Sequence, residues 1–383
     1  MTLMKPILVV SLLWPAVLTC RQSHDQSDIP VGTSPVGQAA ATEQIGAAVF
    51  YDVGMRPRAI AVADFNSDGR PDVAVANAGD GTVTVLFGDD AGRLSGTVSF
   101  AAGGEPADVD AVDLDRDGAI DLIFANHETP GITVLLNDGR GNFAPAPGSP
   151  FDTGARPHIH GLATGDFDAD GWADVAVESS DAEEIRVLWG GPGGLSAAVP
   201  FAVETMPYSR LGVGDVTGDA RPNILVPGHG DSTVRAVESE GRMLRAVTWI
   251  IRLSAQPWMV VAGDFNGDER DDIVVVETNA ISVWLASGRE FVRAPGSPFS
   301  VQGATEAAIG DLDGDGAADV AVGPWDGDEV TLIFGRDGVV HRVRMCERPI
   351  GLAIADLNGD GRGELLATCT NTNQLAVSPV VAM

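Results

Sequence analysis

Residues Asp311–Asp319 read DLDGDGAAD, and the chain continues through Gly335 as VAVGPWDGDEVTLIFG. Asp stands at positions 1, 3, 5 and 9 of this nine-residue motif, and Gly316 stands at position 6. Asp and Gly favour tight turns. The short apolar runs that follow are typical of half-buried β-strands. The stretch therefore predicts an acidic turn that leads into β-structure.

The same motif occurs seven times along the chain. Its copies are DFNSDGRPD at 64–72, DLDRDGAID at 113–121, DFDADGWAD at 166–174, DVTGDARPN at 215–223, DFNGDERDD at 264–272, DLDGDGAAD at 311–319 and DLNGDGRGE at 356–364. Successive copies begin 49, 53, 49, 49, 47 and 45 residues apart. A period of this length predicts an array of similar structural units.

Each repeat carries four strand-like runs, which in the first repeat are Ile60–Ala63, Asp72–Ala76, Thr82–Phe87 and Val98–Ala101. Four short antiparallel strands per repeat are typical of a β-propeller blade. The seventh repeat has only two strands after its motif, and Ala48–Val53 at the other end of the chain matches the missing one. The sequence thus predicts an all-β fold over residues 46–383. We expect a seven-bladed β-propeller of four-stranded antiparallel blades, closed by the N-terminal strand that completes the last blade.

The charge of the chain is concentrated in the seven motifs. The chain has 54 acidic and 24 basic residues, for a formal net charge of −30, and the motifs hold 25 of the acidic residues. Such a balance argues against binding to nucleic-acid phosphates, which requires a basic surface. It favours cation binding in the loops instead.

The spacing of the motif matches the needs of a hard cation. Ca²⁺ takes six to eight oxygen ligands, and oxygens at positions 1, 3, 5 and 9, with a backbone carbonyl at position 7, supply most of them. We expect Ca²⁺ in about five to six loops and an empty fourth loop, which has Thr217, Ala220 and Asn223 at positions 3, 6 and 9. The predicted ligands are Asp64, Asn66, Asp68, Arg70, Asp72, Asp113, Asp115, Asp117, Ala119, Asp121, Asp166, Asp168, Asp170, Trp172, Asp174, Asp264, Asn266, Asp268, Arg270, Asp272, Asp311, Asp313, Asp315, Ala317, Asp319, Asp356, Asn358, Asp360, Arg362 and Glu364.

The acidic loops and the strands after them resemble those of the FG-GAP/VCBS repeat proteins, of which the integrin α-subunit propeller is the best-known type. The resemblance spans roughly residues 48–383, and the sixth repeat is nearest to the pattern that names the family. It implies seven blades with Ca²⁺ between the first and second strands. It implies no single function, because relatives include adhesion subunits, lectins, polysaccharide lyases and bacterial surface lipoproteins.

The N-terminus is predicted to be a targeting segment. Lys5 precedes an apolar run at Ile7–Leu18, and residues 1–20 form a signal peptide by this pattern. The segment ends in VLTC, which resembles a bacterial lipobox with Cys20 as the lipidated residue. Residues 21–45 are predicted to be a flexible tether. We expect an exported protein, either anchored in the outer or cytoplasmic membrane only through a lipid or secreted.

Histidines collect on the face of the predicted propeller opposite the acidic loops. His127 and His229 fall between second and third strands, and His158 and His160 lead into the third blade. Two residues with this spacing on a strand point the same way, so His158 and His160 are candidates for metal ligation, acid–base chemistry or polar contacts. A polar loop surface without a site is the alternative. The same face is expected to carry Arg56, Arg58, Arg210, Arg348, Tyr208, Trp258 and Trp325.

Three functions follow from this arrangement. The first is an exported calcium-binding module that binds an unknown protein or glycan at the cell envelope. The second is a polysaccharide lyase or hydrolase that uses the histidine-bearing face, and the third is a purely structural scaffold. The sequence leaves enzyme activity open, and it also leaves Cys346 and Cys369 as either a disulfide or two buried thiols.

Overall fold

A computed structural model describes residues 44–381 of the chain, apart from residues 157 and 289. The predicted signal peptide with Cys20, and residues 21–43 of the predicted tether, lie outside the described residues. The described chain opens with the strands β1 (Gln44–Ile45) and β2 (Val49–Asp52). The segment expected to be a tether extends to residue 45, but its last two residues form β1. Ile45 packs against a buried apolar cluster, and β1 pairs with β32 (Val380–Val381).

Seven further sheets form the blades, each built on four antiparallel strands. Blade 1 contains β3 (Pro57–Ala63), β4 (Asp72–Asn77), β5 (Thr82–Gly88) and β6 (Leu94–Ala101). Blade 2 contains β7 (Pro106–Val112), β8 (Asp121–Asn126), β9 (Gly131–Asn137), β10 (Phe143–Pro145) and β11 (Phe151–Asp152). Blade 3 contains β12 (Leu162–Gly165), β13 (Asp174–Ser179), a 3₁₀ turn (Ser180–Ala182), β14 (Glu184–Leu188) and β15 (Val199–Ala202).

The second half of the chain repeats this plan. Blade 4 contains β16 (Gly212–Gly214), β17 (Asn223–Gly228), β18 (Thr233–Glu240) and β19 (Met243–Arg252). Blade 5 contains β20 (Pro257–Gly263), β21 (Asp272–Glu277), β22 (Ala280–Ser287), β23 (Glu290–Arg293) and β24 (Phe299–Ser300). Blade 6 contains β25 (Ala304–Gly310), β26 (Asp319–Pro324), β27 (Glu329–Ile333) and β28 (Val340–Arg344), and blade 7 contains β29 (Pro349–Ala355), β30 (Glu364–Cys369) and β31 (Gln374–Ser378).

The ring closes as the sequence predicts. β2 pairs antiparallel with β31, with Val49 opposite Val377 and Asp52 opposite Gln374, so the N-terminal strand is the fourth strand of blade 7. The first strands of the blades contact one another in the order β3, β7, β12, β16, β20, β25, β29 and back to β3. Closure protects the edges that an open array would expose.

The core is divided among the interfaces between blades. The second strand of every blade is buried along its whole length, whereas the sequence predicted half-buried strands, because each second strand packs between neighbouring blades on both of its faces. Among the described residues, seven apolar clusters each join two neighbouring blades. One of them packs Val62 and Leu86 of blade 1 against Leu366 and Leu375 of blade 7. Apolar burial therefore holds the ring together at its closing point as it does elsewhere.

A disulfide joins Cys346 to Cys369. Cys346 lies between β28 and β29, and Cys369 is the buried last residue of β30. The bond settles the alternative that the sequence left open, and it ties the segment between blades 6 and 7 to the second strand of blade 7. No helix of the part described is both long and apolar enough to span a membrane.

Candidate functional site

The antiparallel order of the blades sorts the loops onto two faces. The seven acidic motifs connect first and second strands and define what we call the acidic face. The connections between second and third strands, together with the segments that lead into each first strand, define the opposite ring face. The four histidines singled out in the sequence, together with Tyr208 and Trp325, lie in the connections of this ring face, and Trp258 is the second residue of β20.

Each acidic loop is a tight turn held by its own first residue. In the first loop, Asp64 accepts hydrogen bonds from the backbone N–H groups of Asp68 at 3.0 Å and Gly69 at 2.7 Å. Gly69 has φ +83°, a left-handed conformation that favours glycine, and Glu269 holds the same position in the fifth loop at φ +66°. The prediction that position 6 permits a sharp turn is confirmed.

The side chains of the loops converge as a hard-cation site requires. In the second, third and sixth loops, three carboxylates each offer one oxygen, and these oxygens lie within 4.8 Å of one another. The groups are Asp113, Asp115 and Asp121; Asp166, Asp168 and Asp174; and Asp311, Asp313 and Asp315. Asp113 Oδ1 and Asn266 Oδ1 are buried and have no hydrogen-bond partner among the described residues. The donor set is all oxygen and fits Ca²⁺.

Position 9 has a structural role that the sequence did not indicate. Asp72 is fully buried, and its carboxylate accepts hydrogen bonds from the backbone N–H of Phe65 at 3.0 Å and of Gly88 at 2.8 Å. It thereby clamps the start of the loop to the end of the third strand. The same pair of bonds is made by Asp121, Asp174, Asp272 and Asp319.

Burial of the position-9 carboxylates raises their pKa values. The pKa reaches about 6 for Asp72 and Asp272, about 7 for Asp121, Asp174 and Glu364, and about 8 for Asp319, because burial disfavours the charged form more than the backbone donors favour it. Carboxylates at positions 1, 3 and 5 add repulsion. A bound divalent cation would offset this accumulation of negative charge.

Arginines already contact some of these loops. Arg242, in the turn between β18 and β19, donates to Asp168 at 2.9 Å and to Asp170 at 3.1 Å in the third loop. Arg336 lies 2.7 Å from Asp315 in the sixth loop. In the fourth loop Asp219 is paired with Arg221, and Asp215 is bonded to backbone N–H groups of its own turn. Among the described residues, neither the fourth loop nor the first, fifth and seventh loops contain a group of three converging carboxylates, and the expectation that the fourth loop is empty stays a prediction.

The ring face brings three histidines together. The ring centroids of His127 and His158 are 4.3 Å apart, those of His158 and His160 are 4.6 Å apart, and Nε2 of His158 lies 3.1 Å from Nε2 of His160. Glu178 Oε1 accepts the backbone N–H of His160 at 2.6 Å and lies 3.0 Å from its Nδ1. Burial lowers the pKa of all three histidines, that of His160 to about 4, and raises the pKa of Glu178 well above its usual value.

A row of rings continues from this cluster. The ring of Tyr208 lies 4.3 Å from that of His160 and 5.3 Å from that of His229. The ring of Trp258 is 4.8 Å from that of His229. His229 therefore does not join the three clustered histidines directly, since Tyr208 stands between them. All six rings are half-buried, so their outer edges are accessible to a partner.

The reason given from the sequence for pairing His158 with His160 was wrong. Neither residue lies in a strand, because the first strand of blade 3 begins only at Leu162. The first strands of blades 3 and 4 have four and three residues, whereas those of the other five blades have seven. The segment ahead of each short strand is free to form a loop, and these loops carry His158, His160 and Tyr208.

The predicted cationic residues of the ring face divide between the surface and the axis. Arg56 forms an ion pair with Glu105 at 3.2 Å, and Arg348 stacks over the exposed ring of Trp325 at 4.6 Å. Arg210 instead turns toward the central axis of the propeller, around which the first strands lie, and pairs with Asp108 on β7. Arg210 lies in the segment that leads into β16, as expected for the ring face, but two buried carboxylates, Asp108 and Asp110, attract its guanidinium inward.

The axial charges were not found from the sequence. Asp108 accepts the backbone N–H of Leu162 at 3.1 Å, and Asp110 accepts the hydroxyl of Thr164 at 3.1 Å. Burial raises the pKa of Asp110 to about 7, and burial raises that of Glu306 on β25 to about 7. The available signal was the presence of acidic residues inside otherwise apolar first strands.

The fold and its acidic loops define a closed, seven-bladed β-propeller built from acidic-loop repeats. The family profile described as the FG-GAP-like repeat matches residues 64–124, 113–177, 215–275 and 264–322. The chain belongs to the FG-GAP-like repeat family. No curated protein sequence matches it significantly.

Solved structures share the fold at low sequence identity. The crystal structure of BBS1N in complex with ARL6DN, soaked with lead, is 15% identical, with a TM-score of 0.61, and the match covers 88% of this chain and 96% of that chain. The same complex soaked with mercury is 15% identical, with a TM-score of 0.59, and the match covers 86% of this chain and 96% of that chain. At this identity the likeness extends to the fold alone.

Proposed function

We propose that this protein is an exported, calcium-stabilised β-propeller that binds a protein partner through its ring face. The observation that carries the proposal is the row of six contacting, half-buried rings from His127 to Trp258. A contiguous patch of partly accessible rings is typical of an interaction surface.

The composition of the ring face favours a protein as the partner. Tyr, Trp and Arg are the residue types most enriched at the energetic centres of protein interfaces. Tyr208 and Trp258 lie within the row, and Trp325, which is 46% exposed, lies on the same face with Arg348 stacked on it. The two solved propellers named above are complexes of BBS1N with ARL6DN, so the same fold presents a surface to a protein in that case.

Calcium is proposed as the stabiliser of the acidic face. The converging carboxylates, the unpartnered Asp113 Oδ1 and Asn266 Oδ1, and the raised pKa values at position 9 all support a cation in these loops. The ion would contact both ends of each loop and would oppose repulsion among its carboxylates. Its proposed role is structural, and it lies on the face opposite the proposed interface.

Export is proposed from the N-terminal sequence, and the Cys346–Cys369 disulfide supports it. Structural disulfides persist in oxidising compartments and are rare in the reducing cytosol. A lipid on Cys20, with the outer or cytoplasmic membrane as the anchoring site, stays part of the proposal. It is tested by metabolic labelling with a fatty acid in wild type and in a Cys20→Ala variant.

The partner proposal is tested with two matched aromatic variants. Tyr208→Ser/Trp258→Ser removes rings from the ring face, and Trp172→Ser removes a half-buried ring from the acidic face. Wild type and both variants are immobilised in 2 mM Ca²⁺ and exposed to an envelope extract of the source cells. A captured protein is then purified, and its Kd is measured against all three.

We expect one partner whose Kd rises at least tenfold for the ring-face variant and stays unchanged for Trp172→Ser. Equal binding by both variants would contradict the proposal. A glycan array run in parallel addresses the alternatives. If only the ring-face variant loses binding to a glycan, the proposed partner is a glycan and not a protein. Shortened glycan products would support the lyase or hydrolase function. Absence of protein binding, glycan binding and glycan cleavage would favour the structural scaffold.

A further inference from the structure

The three clustered histidines have the arrangement of a metal-binding set. His127 follows β8 of blade 2, and His158 and His160 precede β12 of blade 3, so the set bridges two neighbouring blades. One ring nitrogen from each lies within 4.8 Å of the other two. Imidazole nitrogens bind Zn²⁺ at about 2.0–2.1 Å, which places tetrahedral ligands about 3.3 Å apart. The 3.1 Å between Nε2 of His158 and Nε2 of His160 is near that spacing.

Glu178 contacts one member of this set, His160, from the buried side. Its side chain is fully buried, and Oε1 lies 3.0 Å from Nδ1 of His160, which leaves Nε2 of that ring directed at His158. A carboxylate behind a metal-binding histidine fixes the tautomer and the orientation of the ring. Glu178 Oε2 is buried and has no hydrogen-bond partner among the described residues. Glu105 Oε2 lies 3.8 Å from Nδ1 of His127.

The propeller does not require a carboxylate where Glu178 stands. The same position of the second strand, four residues after position 9 of the motif, holds small or apolar residues and one Thr in the other blades: Ala76, Ala125, Pro227, Val276, Gly323 and Thr368. A fully buried carboxylate is costly unless an opposite charge or donors compensate it. Its presence in blade 3 alone at this position coincides with the histidine cluster that it contacts.

We infer that His127, His158 and His160 bind a zinc-class divalent transition-metal ion, with Glu178 as the positioning residue behind His160. Imidazole donors select Zn²⁺ and similar ions, whereas Ca²⁺ takes oxygen donors. The protein thus separates two kinds of metal site between its two faces. The three rings are half-buried, so solvent reaches the cluster, as it does in zinc sites that bind water beside three protein ligands. This inference does not depend on the identity or existence of a partner.

The test uses the full chain without a polyhistidine tag, stripped of metal and held in 2 mM Ca²⁺ so that the acidic loops are supplied with their own ion. Zn²⁺ is titrated against a chromophoric chelator, and Co²⁺ is titrated with its visible absorption recorded. We expect one equivalent of Zn²⁺ with a Kd of micromolar or lower, and Co²⁺ bands typical of four-coordination. His127→Ala, His158→Ala and His160→Ala should each weaken Zn²⁺ binding at least 100-fold.

Matched controls keep the result specific. His229→Ala and His341→Ala replace described histidines outside the cluster, and His24→Ala replaces the remaining histidine of the sequence; each should leave the Zn²⁺ Kd within twofold of wild type. Glu178→Gln should weaken binding about 10–100-fold and alter the Co²⁺ spectrum. If Glu178→Gln fails to fold, the half-exposed histidine variants still decide the matter. Absence of Zn²⁺ binding in Ca²⁺, or binding that the three cluster variants leave unchanged, would overturn the inference.

Discussion

At the residue scale, position 6 of the acidic loops shows how far the motif alone determines the backbone. Five loops have Gly there, with φ between +83° and +92°, and Ala220 and Glu269 hold nearly the same conformation at φ +67° and +66°. The turn is therefore imposed by the strands on either side and by the hydrogen bonds to position 1. A side chain at this position is tolerated at a cost in backbone energy.

Replacing Glu269 by Gly should stabilise the protein. A left-handed backbone costs an L-residue roughly 1–2 kcal/mol, partly offset by the entropy of glycine in the unfolded chain, so Glu269→Gly should gain about 1 kcal/mol. Gly316→Ala is the matched opposite change, because a Cβ there would meet nothing within 4 Å and only the φ of +88° opposes it. Denaturant unfolding of both variants checks the prediction. A loss of stability in Glu269→Gly would contradict it.

Single residues also mark the limit of prediction from the sequence. Spacing identified the loop carboxylates because those residues are close along the chain. The contact of Arg242 with Asp168 joins residues 74 apart, and the second role of Asp72 depends on Gly88 at the end of another strand. Glu178 was overlooked although a carboxylate within the apolar second strand of blade 3 was a visible signal. Long-range partners of this kind become evident only once the blades are in register.

At the scale of elements, the blades differ most in the length of their first strands, which is seven residues in five blades but four in blade 3 and three in blade 4. In the first repeat the predicted second and third strands, Asp72–Ala76 and Thr82–Phe87, match β4 and β5 to within one residue, because each is a short run rich in apolar residues that directly follows a turn. The short first strands of blades 3 and 4 were not predicted, since the residues ahead of them keep the spacing of the other repeats. Loss of strand pairing there is what permits His158, His160 and Tyr208 to form the ring row.

Reduction of the Cys346–Cys369 disulfide should destabilise blade 7. The bond closes a loop of 23 residues, which corresponds to about 3 kcal/mol of lost loop entropy in the unfolded chain. The midpoint of denaturant unfolding should therefore fall in a reducing agent. A Cys346→Ser/Cys369→Ser variant should start at the lower midpoint and show no further response to the reductant. Equal midpoints for oxidised and reduced wild type would contradict the prediction.

The stability of the protein should depend on pH through Glu306, which lies on β25, the first strand of blade 6. Burial raises its pKa in the folded chain from 4.5 to about 7, so between these values the folded state binds more protons than the unfolded state. Stability should therefore fall as the pH rises from about 4.5 to 7, by about 1–3 kcal/mol from this group. Arg210 opposes the shift in pKa, and Asp108 adds to it.

Glu306→Gln isolates that contribution. The variant has no charge to bury at this position, so its stability should exceed that of wild type by an increasing margin as the pH rises through 7. Denaturant unfolding of both proteins from pH 4.5 to 8, in the same Ca²⁺ concentration, measures the margin. A margin that stays constant with pH would show that Glu306 does not titrate in this range.

At the scale of the whole molecule, seven motifs and one displaced strand determined the architecture. The count of blades and the closure by Val49–Asp52 followed from the repeats and from the missing strand of the last one. The apolar clusters between all neighbouring blades explain why the ring is closed and specific. The axial charges of Asp108, Asp110 and Arg210 could not be predicted, because their proximity depends on the ring being formed.

The two faces of the ring divide the proposed functions between them. The acidic face holds the loops that fit Ca²⁺, and the ring face holds the aromatic row and the histidine cluster. Cation binding on one side would stabilise the blades whose opposite loops carry the interaction surface. Calcium binding by the acidic loops is therefore the first property to measure.

The most direct measurement is the melting temperature of the metal-stripped full chain as a function of free Ca²⁺, with Mg²⁺ as the matched control ion. For sites with a Kd of about 1 mM, 10 mM Ca²⁺ stabilises the folded state by about 1.4 kcal/mol per site. Five sites would then raise the melting temperature of a chain of this size by about 10 °C. We expect that rise, a smaller effect of Mg²⁺ and full reversal by a chelator. A melting temperature that does not respond to Ca²⁺ would contradict it.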